Sequence, residues 1–169
     1  GVYDRPLLAT AIKPRGAPLE YLADVARRFA AGGGDIVKDD HNLVDASLDD
    51  FRRRVELCQR AVVEGARAAE VATLYLPNVS GTLETMEQQV EFAAALGIRG
   101  VLVAPLAIGL DTVRHLAARY GVAMMAHPTF TGTFFQDARH GIEAALLLGT
   151  LFRLCGCDIS EERRVWKEC

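Results

Sequence analysis

The run Lys38-Asp39-Asp40-His41 holds the densest set of reactive side chains in the sequence. A lysine, two carboxylates and an imidazole in four residues could hold a divalent cation. The carboxylates suit a hard ion such as Mg²⁺, and the imidazole suits a softer one. Lys38, Asp40 and His41 are therefore the candidate metal ligands, the alternative being a charged loop after a strand. Lys13 closes an apolar run just before Pro14; a lysine there could move protons or bind a phosphate, or simply be solvated. His127 closes another apolar run and fits a general acid/base, a metal ligand or a satisfied structural histidine. Asn78-Val-Ser-Gly81 ends a strand and opens a helix, so its backbone amides either cradle an anion or cap the helix. His115 and His140 read as surface residues.

These residues gain meaning from the elements that carry them. Short apolar runs at Leu7–Ile12, Ile36–Val37, Val71–Leu76, Val101–Val103 and Val122–Ala126 read as five strands. Between them, apolar residues recur at helical spacing: Tyr21, Leu22, Val25, Ala26 and Phe29, then Phe51, Val55, Cys58, Val62 and Ala66, then Leu83, Met86 and Val90, then Val113, Leu116 and Tyr120. Pro18 and Ser47 sit where helices should start, and Gly32, Gly97 and Gly121 where they should end. A last helix is expected over about 141–154. Strands buried on both faces and joined by helices argue a parallel sheet in an α/β protein. No Gly-x-Gly-x-x-Gly follows the first strand and there is no Walker A loop, which weakens a nucleotide-binding reading. Lys13, the Lys38–His41 run, Asn78 and His127 all fall at the C-terminal ends of strands, where a (β/α)8 barrel concentrates its chemistry.

Composition narrows the classes. The 169 residues are half hydrophobic, enough for a real core, and carry a net charge of −3 with acids and bases interleaved. No basic block points to nucleic acid, and no apolar run approaches the roughly 18 residues of a membrane span. The first residues lack a signal-peptide pattern and an initiator Met, so a start inside a longer chain is expected. Cys58, Cys155, Cys157 and Cys169 have neither zinc nor thioredoxin spacing and read as incidental thiols of a cytoplasmic protein.

Several segments then line up in order. Ala11-Ile-Lys-Pro-Arg15, Gly33-Gly-Asp-Ile-Val-Lys-Asp-Asp-His-Asn42, Leu74-Tyr-Leu-Pro-Asn-Val-Ser-Gly-Thr82, His127 and Leu151-Phe-Arg-Leu-Cys-Gly156 resemble successive segments of RuBisCO large chains, among them IIKPK, GGLDFTKDDEN and ALRLSGG. The resemblance runs to about Asp158. It implies a catalytic barrel preceded by a small α+β domain, in a homodimer with sites at subunit interfaces. It also implies a Mg²⁺ site on a carbamylated lysine matched by Lys38, a carboxylate ligand matched by Asp40, and a proton-handling lysine matched by Lys13. Such a cation would polarise a sugar-type carbonyl and stabilise an enediolate.

The departures matter as much. His41 stands in place of the third ligand, a glutamate, which opens the site to other divalent metals. Arg15 replaces the second lysine of the first-strand motif, Pro128 an arginine that grips a phosphate, and Val-Ala-Pro105 the family's MHD. The pattern therefore resembles a RuBisCO-like protein, not a ribulose-bisphosphate carboxylase. It implies a metal-dependent enolising lyase or isomerase of the decarboxylase type, acting on a phosphorylated or acidic sugar derivative, with no nucleic-acid or membrane partner. Lys13 and His127 would be catalytic, and Arg15 and Asn78 would bind substrate. The expected fold is α/β, a partial TIM (β/α)8 barrel of about the first five β/α units over residues 1–158, against about 250 residues for a full barrel. Residues 159–169 lack a strand pattern and read as an atypical tail, from truncation or a change of reading frame. Two alternatives stay open: a catalytically inactive fragment or assembly partner, and a flavodoxin-like module, which strand order would distinguish.

Overall fold

The computed structural model describes residues 5–137 and 139–160. The chain divides into two compact units, residues 1–102 and 103–169.

In the first unit β1 (Ala9–Ile12), α1 (Leu19–Ala31), β2 (Ile36–Asp39), α2 (Leu48–Ala69), β3 (Leu74–Leu76) and α3 (Leu83–Ala95) alternate, and β4 (Gly100–Val103) begins. The sheet order is β1-β2-β3, all parallel, with Ala11 beside Lys38 and Lys38 beside Leu76. A further parallel bridge joins Asn78 to Leu102. Sequential order is what a β/α barrel requires. A flavodoxin-like order would pair β1 with β3, and here β2 lies between them, so that alternative falls.

The expected helix signals operate, with small shifts. Pro18 is the residue before α1, not its first helical residue, and the Ser47 hydroxyl caps α2 by accepting the Asp50 N–H at 3.1 Å. The apolar stripes of the helices meet the sheet in one cluster that includes Ile12, Val37, Phe51, Val55, Cys58, Val62 and Tyr75. Helices α1 and α2 pack closely at Gly65. A Cβ there would lie 2.2 Å from the Arg27 carbonyl oxygen and 3.0 Å from the Ala30 Cβ. The start of β2 is fastened to the chain entering β1. The Arg5 guanidinium grips both Asp35 oxygens at 2.7 Å, and the Leu8 N–H donates to Asp35 at 2.8 Å. Those bonds, Arg5 foremost and Leu8 next, hold the Asp35 carboxyl down at about 2.

In the second unit, α4 (Pro105–Ile108) is a single turn opened by its proline. Helix α5 (Leu110–Tyr120) ends on Gly121, whose φ of 60° is the left-handed closure glycine permits. Strand β5 (Ala123–Ala126) pairs in parallel with β6 (Ile159–Ser160). The expected helix over 141–154 is shorter and wider than the sequence suggests, a π-helical stretch over Ala145–Leu151 running into α6 (Phe152–Leu154). Val113, Leu116, Met124, Leu147 and Phe152 are buried in this unit.

A sixth strand starts where the sequence shows no strand pattern. Asp158 and Met124 exchange hydrogen bonds, the Asp158 N–H to the Met124 carbonyl and the Met124 N–H to Asp158 Oδ2, both at 2.9 Å. That clasp brings Ile159 alongside Met125. Backbone pairing makes the strand, so two residues without apolar alternation suffice. Residues 161–169, the rest of the expected tail, lie outside the described residues. Cys58, Cys155 and Cys157 are free thiols and buried; Cys169 lies outside the described residues.

Two outcomes follow. Gly65→Ala should lower stability by about 1–3 kcal/mol in urea denaturation, the usual cost of overpacking, whereas Gly149→Ala, with open space around it, should be neutral. For Asp35, the lowered folded-state value means its contribution is present above the unfolded value of about 4 and lost as pH falls through the folded one. The gap in melting temperature between the parent and Asp35→Asn should therefore be full at pH 6 and close towards pH 2.

Candidate functional site

The site is built at the C-terminal end of β2. Side chains alternate along a strand, so Val37 and Asp39 leave one face while Lys38 and Asp40 leave the other. Val37 faces the helices, in the cluster with Phe51 and Val55. Lys38 and Asp40 thus share the opposite face. The register that sets Ile12 beside Asp39 brings the residue after the first strand, Lys13, to Asp40. Its Nζ lies 2.9 Å from Asp40 Oδ2.

Asp40 is 6% exposed although three residues address it. Lys13 takes Oδ2, the Asn42 N–H donates to Oδ1 at 3.0 Å, and His41 Nδ1 stands 3.5 Å from Oδ1. Burial would raise its carboxyl. The Asn42 N–H, Lys13 and His41 together outweigh that and hold it below the usual carboxylate range. Lys38 is buried, with its Nζ donating to the Asp39 carbonyl at 3.4 Å. Arg15 is exposed on the loop after β1.

Asn78, expected at a helix opening, sits elsewhere in the architecture. Helix α3 starts at Leu83 with Thr82 as its cap. The Asn78 N–H donates to Asp39 Oδ2 at 2.8 Å, Val79 N–H to the Leu102 carbonyl at 2.9 Å, and Ser80 N–H to Gln89 Oε1 at 3.0 Å. Three amides of the expected anion cradle are already committed, so neither that cradle nor the cap forms at this segment. The Asn78 carboxamide donates to the carbonyls of His41 and Leu43, both at 3.2 Å. His127, in the second unit, follows β5. Its Nδ1 lies 2.6 Å from the Thr129 hydroxyl, and its N–H donates to the Val103 carbonyl at 2.8 Å.

Behind the loop lies a polar network that the chemistry-first reading of the sequence passes over. Asp39 is fully buried, Arg54 is 1% exposed and Tyr75 2%. Asp39 accepts from Arg54 Nη1, from the Tyr75 hydroxyl at 2.7 Å and from the Asn78 N–H. Arg54 also donates from Nε and Nη2 to Asp45, at 3.1 and 2.7 Å, and its guanidinium lies over the Phe51 ring. Burial works against the Arg54 charge, but Asp39 in particular, with Tyr75 and Asp45, keeps it protonated well above its ordinary value. Burial and the Asp39 charge push the Tyr75 hydroxyl up, and the neighbouring Cys58 thiol up to about 12. Arg54 was detectable in the sequence. It lies three residues after Phe51 and four before Cys58, on the buried stripe of α2.

Residues 1–162 match the family described as "Ribulose bisphosphate carboxylase large chain, catalytic domain". The chain belongs to this family. Among curated RuBisCO-family proteins it is 39% identical over 156 residues to the 5-methylthioribulose-1-phosphate isomerase of Rhodospirillum rubrum, covering 92% of this chain and 40% of that protein. It is 36% identical over 161 residues to the 2,3-diketo-5-methylthiopentyl-1-phosphate enolase of Geobacillus thermodenitrificans, covering 94% and 39%. The chain thus spans about two fifths of these relatives. Its structure is similar to the Rubisco-like protein from Rhodopseudomonas palustris, with a TM-score of 0.82 at 40% identity over 91% of this chain and 42% of that one. It is similar also to the dimeric archaeal Rubisco from Hyperthermus butylicus, with a TM-score of 0.85 at 27% identity over 94% and 38%. The parallel β/α units are therefore those of the RuBisCO catalytic barrel.

The exposure of Lys13, 63% for its side chain, separates its roles. An ion pair with one arm in solvent contributes under about 1 kcal/mol. Lys13→Met should therefore change the urea midpoint by no more than that energy implies; a larger loss of stability would make Lys13 a structural residue.

Proposed function

We propose that this RuBisCO-family segment carries part of a metal-dependent enolising site. The substrate class is a phosphorylated sugar-derived carbonyl compound, as in the relatives named isomerase and enolase, and the chemistry is isomerase- or lyase-type. The observation that carries the reading is the 2.9 Å approach of Lys13 to Asp40. It supports the pairing of a proposed proton carrier, Lys13, with a proposed cation ligand, Asp40.

The donor set tests the cation. Among the described residues no group of three His, Cys, Asp or Glu side chains could hold a metal ion. The proposed set includes a lysine, which becomes an oxygen donor only as a carbamate. Two donors do converge, Asp40 and His41, 3.5 Å apart, and Lys38 leaves the same strand face two residues earlier. Carbamylated Lys38, Asp40 and His41 therefore fit a divalent cation with mixed oxygen and nitrogen donors, Mg²⁺ or a softer ion. When bound, the cation would polarise the substrate carbonyl and stabilise negative charge on its oxygen.

This chain's side chains would do the rest. Lys13 would take the proton from the carbon next to the carbonyl. His127, whose Nδ1 lies 2.6 Å from the Thr129 hydroxyl, would serve as a general acid/base. Arg15 offers a guanidinium to a phosphate or carboxylate. Both hydrogens of the Asn78 carboxamide are committed to the backbone, so Asn78 would meet substrate through Oδ1. A homodimer in the cytoplasm completes the reading. The replacements at His41 and Pro128 favour it over ribulose-bisphosphate carboxylation.

Solvent exchange tests it. The protein, given Mg²⁺, bicarbonate and 5-methylthioribulose 1-phosphate in D₂O, should wash the proton out from beside the carbonyl. Lys13→Met should slow this by about 10²-fold or more, within the range for loss of a general base. Retention of the proton by the parent with each of Mg²⁺, Mn²⁺ and Zn²⁺ would contradict the reading and favour an inactive assembly role.

A further inference from the structure

The loop that carries Asp40 and His41 is bracketed by two aspartates, Asp39 before it and Asp45 after it. Both are held by one side chain from α2. Arg54 donates through Nη1 to Asp39 and through Nε and Nη2 to Asp45. The middle of the loop is held from the segment that follows β3, where Asn78 donates to the carbonyls of His41 and Leu43. The Asn78 N–H in turn rests on Asp39. Arg54 thus ties both ends of the loop, and Asn78, itself resting on Asp39, ties its middle.

We infer that Arg54 is a positioning residue for this loop: by bridging Asp39 and Asp45 it sets the conformation in which Asp40 and His41 converge. The inference rests on the proposed role of those two residues as cation ligands.

The chemistry calls for arginine. Only a planar fork with several donors reaches two carboxylates at once, one on each edge; a lysine ammonium supplies charge without that span. The position is also dry. Arg54 is 1% exposed and lies over Phe51, so water cannot readily replace a lost bond. Within the loop, the Asn42 N–H donates to Asp40 Oδ1 and the Leu43 N–H to the Asp40 carbonyl at 2.9 Å. These two amides report whether Asp40 holds its place.

The test uses Arg54→Lys, which keeps the charge beside Asp39, and Asp45→Asn, which weakens only the far end of the bridge and leaves the Asp39 pairing untouched. Amide exchange is followed at Asn42 and Leu43, with Val37 in β2 and Leu76 in β3 as internal references. Exchange at Asn42 and Leu43 should quicken at least about 10-fold in both variants, with the references unchanged. Mn²⁺ affinity by calorimetry should fall about 10- to 100-fold, the usual effect of losing a residue that orients a ligand. Equal acceleration at all four amides, or none at the loop, would overturn the inference, since Arg54 would then support only the fold. Absence of Mn²⁺ binding by the parent would overturn the proposed cation site instead, and the exchange data would still decide what Arg54 does to the loop.

Discussion

A guanidinium buried between two carboxylates is the constraint on which the conformation of the loop after β2 depends. Arg54 joins α2 to the end of β2 and to the far side of the loop that follows, and Tyr75 and Asn78 bring β3 into the same network. Taking such charges out of water is costly, and removing one partner of a buried pair typically costs about 3–5 kcal/mol because the other is left uncompensated. The network therefore adds little net stability over an apolar core. It does penalise every arrangement of the loop in which those partners separate. That is how a fold held mainly by apolar packing can impose one conformation on an irregular segment.

Strand alternation divides the labour between neighbouring aspartates. Asp39 turns to the helices and is consumed by Arg54, Tyr75 and Asn78. Asp40, one residue on, turns to the face it shares with Lys38 and meets Lys13. Two carboxylates of the same type thus acquire different partners through the period of two. The His41 backbone carbonyl, held by the Asn78 carboxamide, takes part in fixing the loop whatever the side chain at that position.

Much of the fold was legible because its signals are local. Five strands, their helices, the Ser47 cap and the closures at Gly97 and Gly121 follow from periodicity and capping chemistry. The ordered motifs around Lys13 and Lys38 led to the family. Other features depend on tertiary partners. Arg54 is one of three consecutive arginines, and only its phase on the α2 stripe separates it from Arg52 and Arg53, which are exposed. Asn78 looks like a helix opener until the Asp39 carboxylate is seen to claim its N–H. The π-helical stretch before Phe152 and the short β6 arise from packing and backbone pairing that apolar periodicity does not encode.

The central claim is that the end of β2 is a cation centre built on a modified Lys38. Carbon-13 spectroscopy of the protein in labelled bicarbonate with Mg²⁺ tests it most directly. The account predicts a carbamate resonance that strengthens with Mg²⁺, persists in Lys13→Met and disappears in Lys38→Met. A spectrum without that resonance, or one unchanged by replacing Lys38, would contradict it.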